Sequence, residues 1–275
     1  MKASLFFILF FLFACDNSTS IDLEQDRTLA VLYTQSSAEH MAASIATYEN
    51  AKHSLRTALA DKNWTALPDQ KEGYQNLPPA IIIDVDDTVL DNSAYEARIV
   101  LNKESYPVGW GAWCHEAIAT GIPGAISFLN EAARLGVEIF YVTNRKSIYE
   151  ESTKENFKKL DIPFSSDIDS VLSRGENGWT SDKSSRRELI ASSYRVLLQI
   201  GDNLGDFVSE SSNHMKPYQR KQEVLKHQDK WGKQWFVIEN PTYGDWEAAI
   251  YDYNFEQPPE SIRSIRRAAL DPKNK

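Results

Sequence analysis

The sequence predicts an α/β fold in which a parallel sheet carries helices on both faces, together with a small, mainly helical accessory domain. Short apolar segments alternate with segments of helical periodicity over residues 80–239, as in strand–helix–strand units. Polar residues follow several of the apolar segments, at the strand ends where parallel sheets bind ligands. The 275 residues, 42% of them hydrophobic, suffice for one large domain with a substantial core.

Before the fold begins, the N-terminal segment indicates a targeting signal. Residues 5–14 are an apolar run of signal-peptide length, too short to span a bilayer with ease. The run ends in Leu-Phe-Ala-Cys, which resembles a bacterial lipobox with Cys15 as the lipidated residue; an ordinary signal peptide is the alternative. We expect a signal peptide over residues 1–14, a tether over 16–25, and a chain lipid-anchored at the bacterial cell envelope, facing the periplasm or the exterior.

The remaining elements follow from periodicity and from proline and glycine positions. Residues 26–62 show a helical apolar stripe, and Pro78-Pro79 precede the first core strand. We assign 26–77 to the accessory domain, 78–250 to the core and 251–275 to a tail, with an irregular insertion at 92–122. The predicted strands are 80–84, 137–142, 169–172, 195–200 and 235–239, and the predicted core helices are 123–136, 147–160 and 184–193.

The most informative segment is the end of the first strand, Asp84-Val85-Asp86-Asp87-Thr88. On an extended backbone, Asp84 and Asp86 point to the same side, and two like charges that close are costly without a cation. A hard divalent cation with oxygen ligands, Mg²⁺ above all, is the natural counter-ion. The pair is therefore a candidate for a nucleophile, a proton donor and a metal; the alternative is a capped strand end.

Polar residues also follow the later strands. Thr143-Asn144 follow the second strand, Lys183 opens the helix after the third, and Asp202 and Asp206 follow the fourth. Each has an ordinary explanation when taken alone, such as a helix cap, a surface lysine or a turn. Their order resembles that of the haloacid dehalogenase superfamily, and the D-x-D form of the first motif is similar to that of its phosphatases.

Longer matches narrow the resemblance to the class C, non-specific acid phosphatases. Residues 81–95 and 200–207 are similar to the two signatures of that family, and residues 35–39, 141–145, 183–187 and 240–247 are also similar. The family usually has Glu where this chain has Asp87, which we expect to matter little. The resemblance implies a haloacid-dehalogenase-like, Rossmannoid sheet, a Mg²⁺-dependent acid phosphatase, a lipid anchor in the membrane, and a homodimer.

Roles carry over by the same resemblance. Asp84 is the nucleophile that forms an aspartyl-phosphate and is also a metal ligand. Asp86 is the general acid and then the base, and its carbonyl is a metal ligand. The other site residues are Asp202 as a metal ligand, Asp206 as a residue that orients water or Lys183, and Thr143, Asn144 and Lys183 as ligands of the phosphoryl oxygens.

The resemblance also bears on the substrate. Tyr95, Trp113 and Tyr243 are expected to stack on the ring of a nucleoside monophosphate or nicotinamide mononucleotide; the alternative is hydrophobic packing. Asp84 and Thr143 are 59 residues apart and Thr143 and Lys183 are 40 apart, which leaves no room for a large cap domain. We therefore expect an open site for small phosphomonoesters.

Composition bears on the alternatives. A net charge of −9 argues against nucleic acid polymers as partners, although a metal and a few cations can still attract a small anion. A phosphotransferase on the same fold would share the aspartyl-phosphate. A surface-anchored binding lipoprotein for haem or a nucleotide is the alternative that is not an enzyme, and Mg²⁺-dependent turnover separates these classes.

Overall fold

The structure is a computed structural model that describes residues 25–209 and 214–273. The predicted signal peptide, the lipidation site at Cys15 and all but the last residue of the predicted tether lie outside the described residues. None of the helices within the two described ranges is long and apolar enough to cross a bilayer.

The strands confirm the predicted parallel sheet. Within the described residues they are β1 (Pro79–Ile83), β2 (Leu90–Asp91), β3 (Thr120–Gly121), β4 (Glu138–Lys146), β5 (Val171–Arg174), β6 (Arg195–Gly201) and β7 (Trp235–Val237). Five of these form a sheet in the order β5-β4-β1-β6-β7, and every neighbouring pair in it is parallel. Strand β4 runs to residue 146 rather than 142, so Thr143 and Asn144 belong to its C-terminal end.

The helices are α1 (Gln25–Ser36), α2 (Ala38–Ala60), α3 (Ser93–Asn102), α4 (Trp110–Glu116), α5 (Ala125–Arg134), α6 (Glu150–Lys159), α7 (Ser184–Ser193), α8 (Pro217–Lys226), α9 (Asp245–Ala248) and α10 (Pro259–Ala268). The predicted helix over 26–62 is divided at Ser37. The hydroxyl of Ser37 accepts a hydrogen bond from the backbone N–H of His40, which starts a new helix.

Alternate residues of β1 pack on opposite faces of the sheet. Ile81 and Ile83 belong to the larger apolar cluster, with side chains of α2 and α5. Ala80 and Ile82 belong to the second cluster, with side chains of α7. Burial of a side chain such as Leu55 of α2 contributes about 1.5–3 kcal/mol. Helix α2 therefore packs on the sheet itself, and the predicted domain division at residue 77 stays a prediction.

The insertion at 92–122 is not irregular, which corrects the sequence-based prediction. It contains α3 and α4, and β3 returns to pair antiparallel with β2. The N–H of Ile122 donates to the carbonyl of Val89 at 2.9 Å, so the insertion rejoins the core close to where it leaves it. Both helices are short, and α4 begins after Gly109 in a left-handed conformation rather than at a polar cap, so the usual start signal is missing.

Candidate active site

The side chains of Asp84 and its partners lie at the carboxyl end of the sheet. Asp84 continues the line of β1, and its N–H donates to the carbonyl of Ile200 in β6 at 3.0 Å. Its carboxylate is buried, with Thr88 Oγ1 donating to Oδ2 at 3.4 Å. The hydroxyl of Tyr48 in α2 donates to the Thr88 carbonyl at 2.5 Å. Helix α2 and strand β6 therefore both hold the backbone around Asp84.

Lys183 lies between two buried carboxylates. Its ammonium donates to Oδ1 of Asp84 and, at 2.5 Å, to Oδ1 of Asp206. The backbone on either side of Lys183 is held in place at the start of α7, because the Asp182 carboxylate accepts a hydrogen bond from the N–H of Ser184 at 2.7 Å. All three charged side chains are about 7% exposed, so water screens their interaction little.

The charges in this cluster do not balance. Burial raises the pKa of Asp84 to about 7, with the nearby Lys183 ammonium acting in the opposite direction. Burial acts to lower the pKa of Lys183, but Asp206 and Asp84 outweigh it and raise that pKa. Burial thus disfavours the ionised form of Asp84, while the two carboxylates favour the Lys183 ammonium, and Asp202 adds a third carboxylate nearby. The cluster favours the binding of a further cation.

The same residues fit a divalent metal ion. Asp84, Asp202 and Asp206 each offer a carboxylate oxygen, and these oxygens lie within 4.8 Å of one another. Burial, followed by the charges of Asp206 and Asp84, raises the pKa of Asp202 well above its ordinary value. Asn240 Nδ2 donates to Asp202 Oδ2 at 2.8 Å and orients that carboxylate. Hard oxygen ligands in this number suit Mg²⁺.

Gly201, the last residue of β6, is required by the carboxylate of Asp206. A Cβ at Gly201 would overlap with the carboxylate of Asp206. Oδ2 of that carboxylate accepts the N–H of Asn203 at 2.9 Å, which closes the loop between Asp202 and Asp206. Asp206 is predicted to orient water or Lys183, and the structure brings the side chains of Asp206 and Lys183 into contact.

Asp86 faces a different set of partners. Its Oδ1 accepts hydrogen bonds from Asn92 Nδ2 at 2.8 Å and from Arg145 Nε at 2.9 Å. Arg145 is 2% exposed, and Asn92 Oδ1 accepts from Trp113 Nε1 at 2.8 Å. Within the described residues, the hydrogen bonds and the ion pair of the Asp86 carboxylate all use Oδ1.

Asn92 and Arg145 are not among the predicted site residues, although both lie in segments that are similar to the family. One signal was available for Arg145. It lies two residues after Thr143 at the end of a strand, so its side chain leaves the same side of the sheet. For Asn92 no periodicity gave a signal, because its contacts depend on the fold of the insertion.

Asp87, which stands where the family usually has Glu, was expected to matter little, but its side chain contacts two other parts of the site. It adopts a left-handed conformation with φ of 54°, which Asp tolerates better than most residues. Its carboxylate accepts the hydroxyl of Tyr243 and, at 3.0 Å, the N–H of Asn92. Burial raises the pKa of Asp87 to about 8, against the lowering effect of the Tyr243 hydrogen bond. Asp87 thus ties the segment around Tyr243 to the start of α3.

The predicted phosphoryl ligands Thr143 and Asn144, at the end of β4, lie in unequal environments. Thr143 is fully buried, and its hydroxyl accepts the N–H of Arg145 at 3.0 Å. Asn144 is exposed, and its Oδ1 accepts from Arg186 at 3.0 Å. Asn144, Lys183 and Asp206 line one cleft of about 260 Å³, which is open to solvent. A small anion in this cleft would have the Lys183 ammonium and the Asn144 amide on its walls.

The predicted stacking residues are mostly packed, which corrects that part of the sequence analysis. Tyr95 is 2% exposed and Trp113 is 3% exposed, and both belong to the larger apolar cluster. Neither ring has an open face on which a base could stack. Tyr243 is half-buried, and Tyr253 and Phe255 line the cleft instead. Burial in the core, the alternative kept for these aromatics, therefore applies to Tyr95 and Trp113.

Comparison with known proteins agrees with this arrangement. Residues 15–246 match the family described as HAD superfamily, subfamily IIIB (acid phosphatase). The structure is similar to that of the class C acid phosphatase from Bacillus anthracis, with 31% identity, a TM-score of 0.80, and 91% of this chain and 99% of that chain covered. A structure of that enzyme with tungstate bound gives 31% identity, a TM-score of 0.79, and coverage of 90% and 98%.

Proposed function

This chain belongs to subfamily IIIB of the haloacid dehalogenase superfamily, the acid phosphatases, and from that premise we propose that it hydrolyses phosphomonoesters through an aspartyl-phosphate with Mg²⁺ as cofactor. The family and the similar structures make it a phosphomonoesterase of class C. The observation that carries the mechanism is the buried cluster of Asp84, Lys183 and Asp206, with Asp202 beside it. The comparisons do not favour the binding-lipoprotein alternative.

In the first step, a carboxylate oxygen of Asp84 attacks phosphorus, and the bond from phosphorus to the leaving alcohol breaks. Asp86 gives a proton to the leaving oxygen, so the alcohol departs neutral. Arg145 and Asn92 hold Oδ1 of Asp86, which fixes the carboxyl group for this transfer. Lys183 and the hydroxyl and amide of Thr143 and Asn144 bind the phosphoryl oxygens and stabilise their charge.

In the second step, Asp86 accepts a proton from water, whose oxygen attacks the phosphorus of the aspartyl-phosphate. The bond between phosphorus and Asp84 then breaks, and inorganic phosphate leaves. A Mg²⁺ ion held by Asp84, Asp202 and the Asp86 carbonyl would neutralise charge on the phosphoryl group during both steps. Asp206, in contact with Lys183, keeps the ammonium in position.

The test is hydrolysis of p-nitrophenyl phosphate by the full chain at about pH 5–6, where a protonated general acid is most useful. We expect activity that EDTA removes and Mg²⁺ restores. Asp84→Asn should abolish turnover, and the exposed Asp229→Asn is the matched control that should not. Asp86→Asn should still collect phosphate on Asp84 from a substrate with a good leaving group. Full activity of Asp84→Asn would contradict the mechanism.

For the substrate, we propose nucleoside monophosphates or nicotinamide mononucleotide, with ring contact at Tyr243. The half-buried ring of Tyr243, held by Asp87, supports this choice over Tyr95 and Trp113. Tyr243→Ala should lower the rate on nucleotides relative to alkyl phosphates, whereas Trp113→Ala should mainly lower stability. An equal loss of rate on nucleotides and alkyl phosphates in Tyr243→Ala would argue against a contact between Tyr243 and the substrate ring.

Attachment to the bacterial envelope through Cys15 and a homodimer also remain proposals. Apolar side chains that are 39–75% exposed on α1 and α2 support the homodimer: Leu29, Leu32, Met41 and Ile45. Sedimentation of the Cys15→Ser variant, which cannot be lipidated, tests the dimer, and a monomer at working concentration would reject it. Labelling of the natural chain with a radioactive fatty acid in cells tests the anchor, with Cys15→Ser as the unlabelled control.

A further inference from the structure

The first turn of α7 contains two consecutive buried arginines. Arg186 is fully buried and Arg187 is 6% exposed. Burial lowers the pKa of Arg186 to about 10 and also lowers that of Arg187. A guanidinium loses much hydration on burial, so its donors need strong acceptors. Here those acceptors are mainly backbone carbonyls, and they belong to the segments that surround the candidate active site.

Arg186 joins two segments that carry the proposed phosphoryl ligands. It donates to the carbonyl of Thr143 at 2.6 Å and to Oδ1 of Asn144 at 3.0 Å, both at the end of β4. It also donates to the carbonyls of Thr180 and Asp182, each at 3.1 Å, in the segment that leads to Lys183. One rigid guanidinium thus fixes Asn144 relative to the backbone that carries Lys183.

Arg187 has a separate set of partners in the loop that carries Asp202, the proposed metal ligand. It donates to the carbonyls of Gly205 at 3.0 Å, Asp206 at 3.1 Å and Val208 at 2.8 Å. These residues form the turn that follows β6 and Asp202. Consecutive side chains on a helix do not face each other, so Arg186 and Arg187 leave α7 in different directions and reach different loops.

We propose that Arg186 and Arg187 are positioning residues with separate tasks. Arg186 orders the phosphoryl-binding residues Asn144 and Lys183, and Arg187 orders the loop that presents Asp202 to the metal. This division rests on the proposed function, since it takes Asn144 and Lys183 as ligands of phosphate and Asp202 as a ligand of the metal. The division predicts that substitutions at these two adjacent arginines weaken the binding of two different ligands, phosphate and Mg²⁺.

Equilibrium binding to the full chain tests the division without turnover. The dissociation constant of inorganic phosphate is measured by calorimetry in saturating Mg²⁺, and that of Mg²⁺ in the absence of phosphate. The variants are Arg186→Lys and Arg187→Lys, which keep the charge but lose the fork of donors. Arg195→Lys is the matched control, because Arg195 is a buried arginine that donates to the carbonyls of Ala58 and Asp61.

Arg186→Lys should weaken phosphate binding about tenfold or more and leave Mg²⁺ binding within about twofold, and Arg187→Lys should do the reverse, as is typical when outer partners of a ligand set are removed. Arg195→Lys should lower the melting temperature and change neither dissociation constant. If a lysine variant does not fold, the Gln variant at the same position, which retains donors without a buried charge, replaces it.

Equal weakening of both ligands by both variants would overturn the division, as would no weakening of either. A natural chain that binds phosphate and Mg²⁺ but hydrolyses no phosphomonoester would overturn the proposed function while leaving the division intact. A natural chain with full turnover, whose two arginine variants behave alike, would overturn the division alone.

Discussion

Replacement of Lys183 by methionine tests the charge balance of the buried cluster. Methionine keeps much of the apolar stem and removes the ammonium that contacts Asp84 and Asp206. The two carboxylates, with Asp202 beside them, then lose the ammonium that forms their ion pairs among the described residues. Because the ammonium also lowers the pKa of Asp84, its loss makes the ionised form of that carboxyl still less favourable.

The magnitude follows from burial. Removal of one partner from a buried ion pair typically costs about 3–5 kcal/mol. Each side chain of the pair is about 7% exposed, so solvent offers little compensation. In a domain of this size, 1 kcal/mol shifts the melting temperature by about 2–4 °C, so we expect a fall of roughly 6–20 °C. The fall should be larger at pH 8 than at pH 5, because protonation of Asp84 at low pH removes the uncompensated charge.

The assay is thermal unfolding in EDTA and then in excess Mg²⁺, at both pH values. Mg²⁺ should recover more stability in Lys183→Met than in the natural chain, since it replaces a lost positive charge. Lys216→Met is the matched control: Lys216 pairs with Asp252, but both side chains are more than half exposed, so its loss should change stability by less than about 1 kcal/mol. A melting temperature of Lys183→Met in EDTA at pH 8 equal to that of the natural chain would refute the reasoning.

Three further predictions concern other parts of the molecule. Burial raises the pKa of Glu96 to about 7, with Arg27 opposing this and Glu247 adding to it. Since this folded pKa exceeds the unfolded value, stability falls as pH rises from about 4.5 to 7, and Glu96→Gln should add up to about 3 kcal/mol at pH 8 by urea unfolding; a natural chain with no such slope would contradict this. Leu55→Ala should cost about 3–5 kcal/mol in the same assay, because it opens a cavity between α2 and the sheet, and a cost below about 1 kcal/mol would show that α2 does not pack there. Asn92→Ala should lower kcat by up to about 10²-fold with phosphate affinity unchanged, because Asp86, the proposed proton-transfer group, loses a hydrogen-bond donor. An unchanged kcat would argue against this support of Asp86 by Asn92.

The sequence predicted the parts of this fold that depend on local pattern. Strands buried on both faces are near-continuous apolar runs, so β1 and β6 could be assigned closely. The parallel arrangement then brings the residues after those strands to one edge of the sheet. Contact between Asp84 and Lys183, which are 99 residues apart, therefore follows from motif order and topology together. The acid phosphatase family was predicted correctly because residues 81–95 and 200–207 are similar to its two signatures.

Long-range side-chain pairing was beyond the sequence analysis. The contacts of Asp87 with Tyr243 and of Asn92 with Trp113 depend on how the insertion and the C-terminal segment fold onto the sheet. No periodicity encodes them. The burial of Trp113 could not be predicted for the same reason. An aromatic residue near a motif has the same local sequence pattern whether it packs in the core or stacks on a ligand. The division of the first helix at Ser37 was visible only as a single capping serine.

The order of strands in the sheet affects how the protein folds while it is being synthesised. The central strand β1 pairs with β4 and β6, which begin at residues 138 and 195. While the chain is made from its N-terminus, β1 therefore lacks at least one of its two neighbouring strands until β6, which ends at Gly201, has been made. An apolar strand with an open edge can pair with other chains. Substitutions that delay the docking of β6 should reduce the yield of folded protein well before they reduce the activity of each folded molecule.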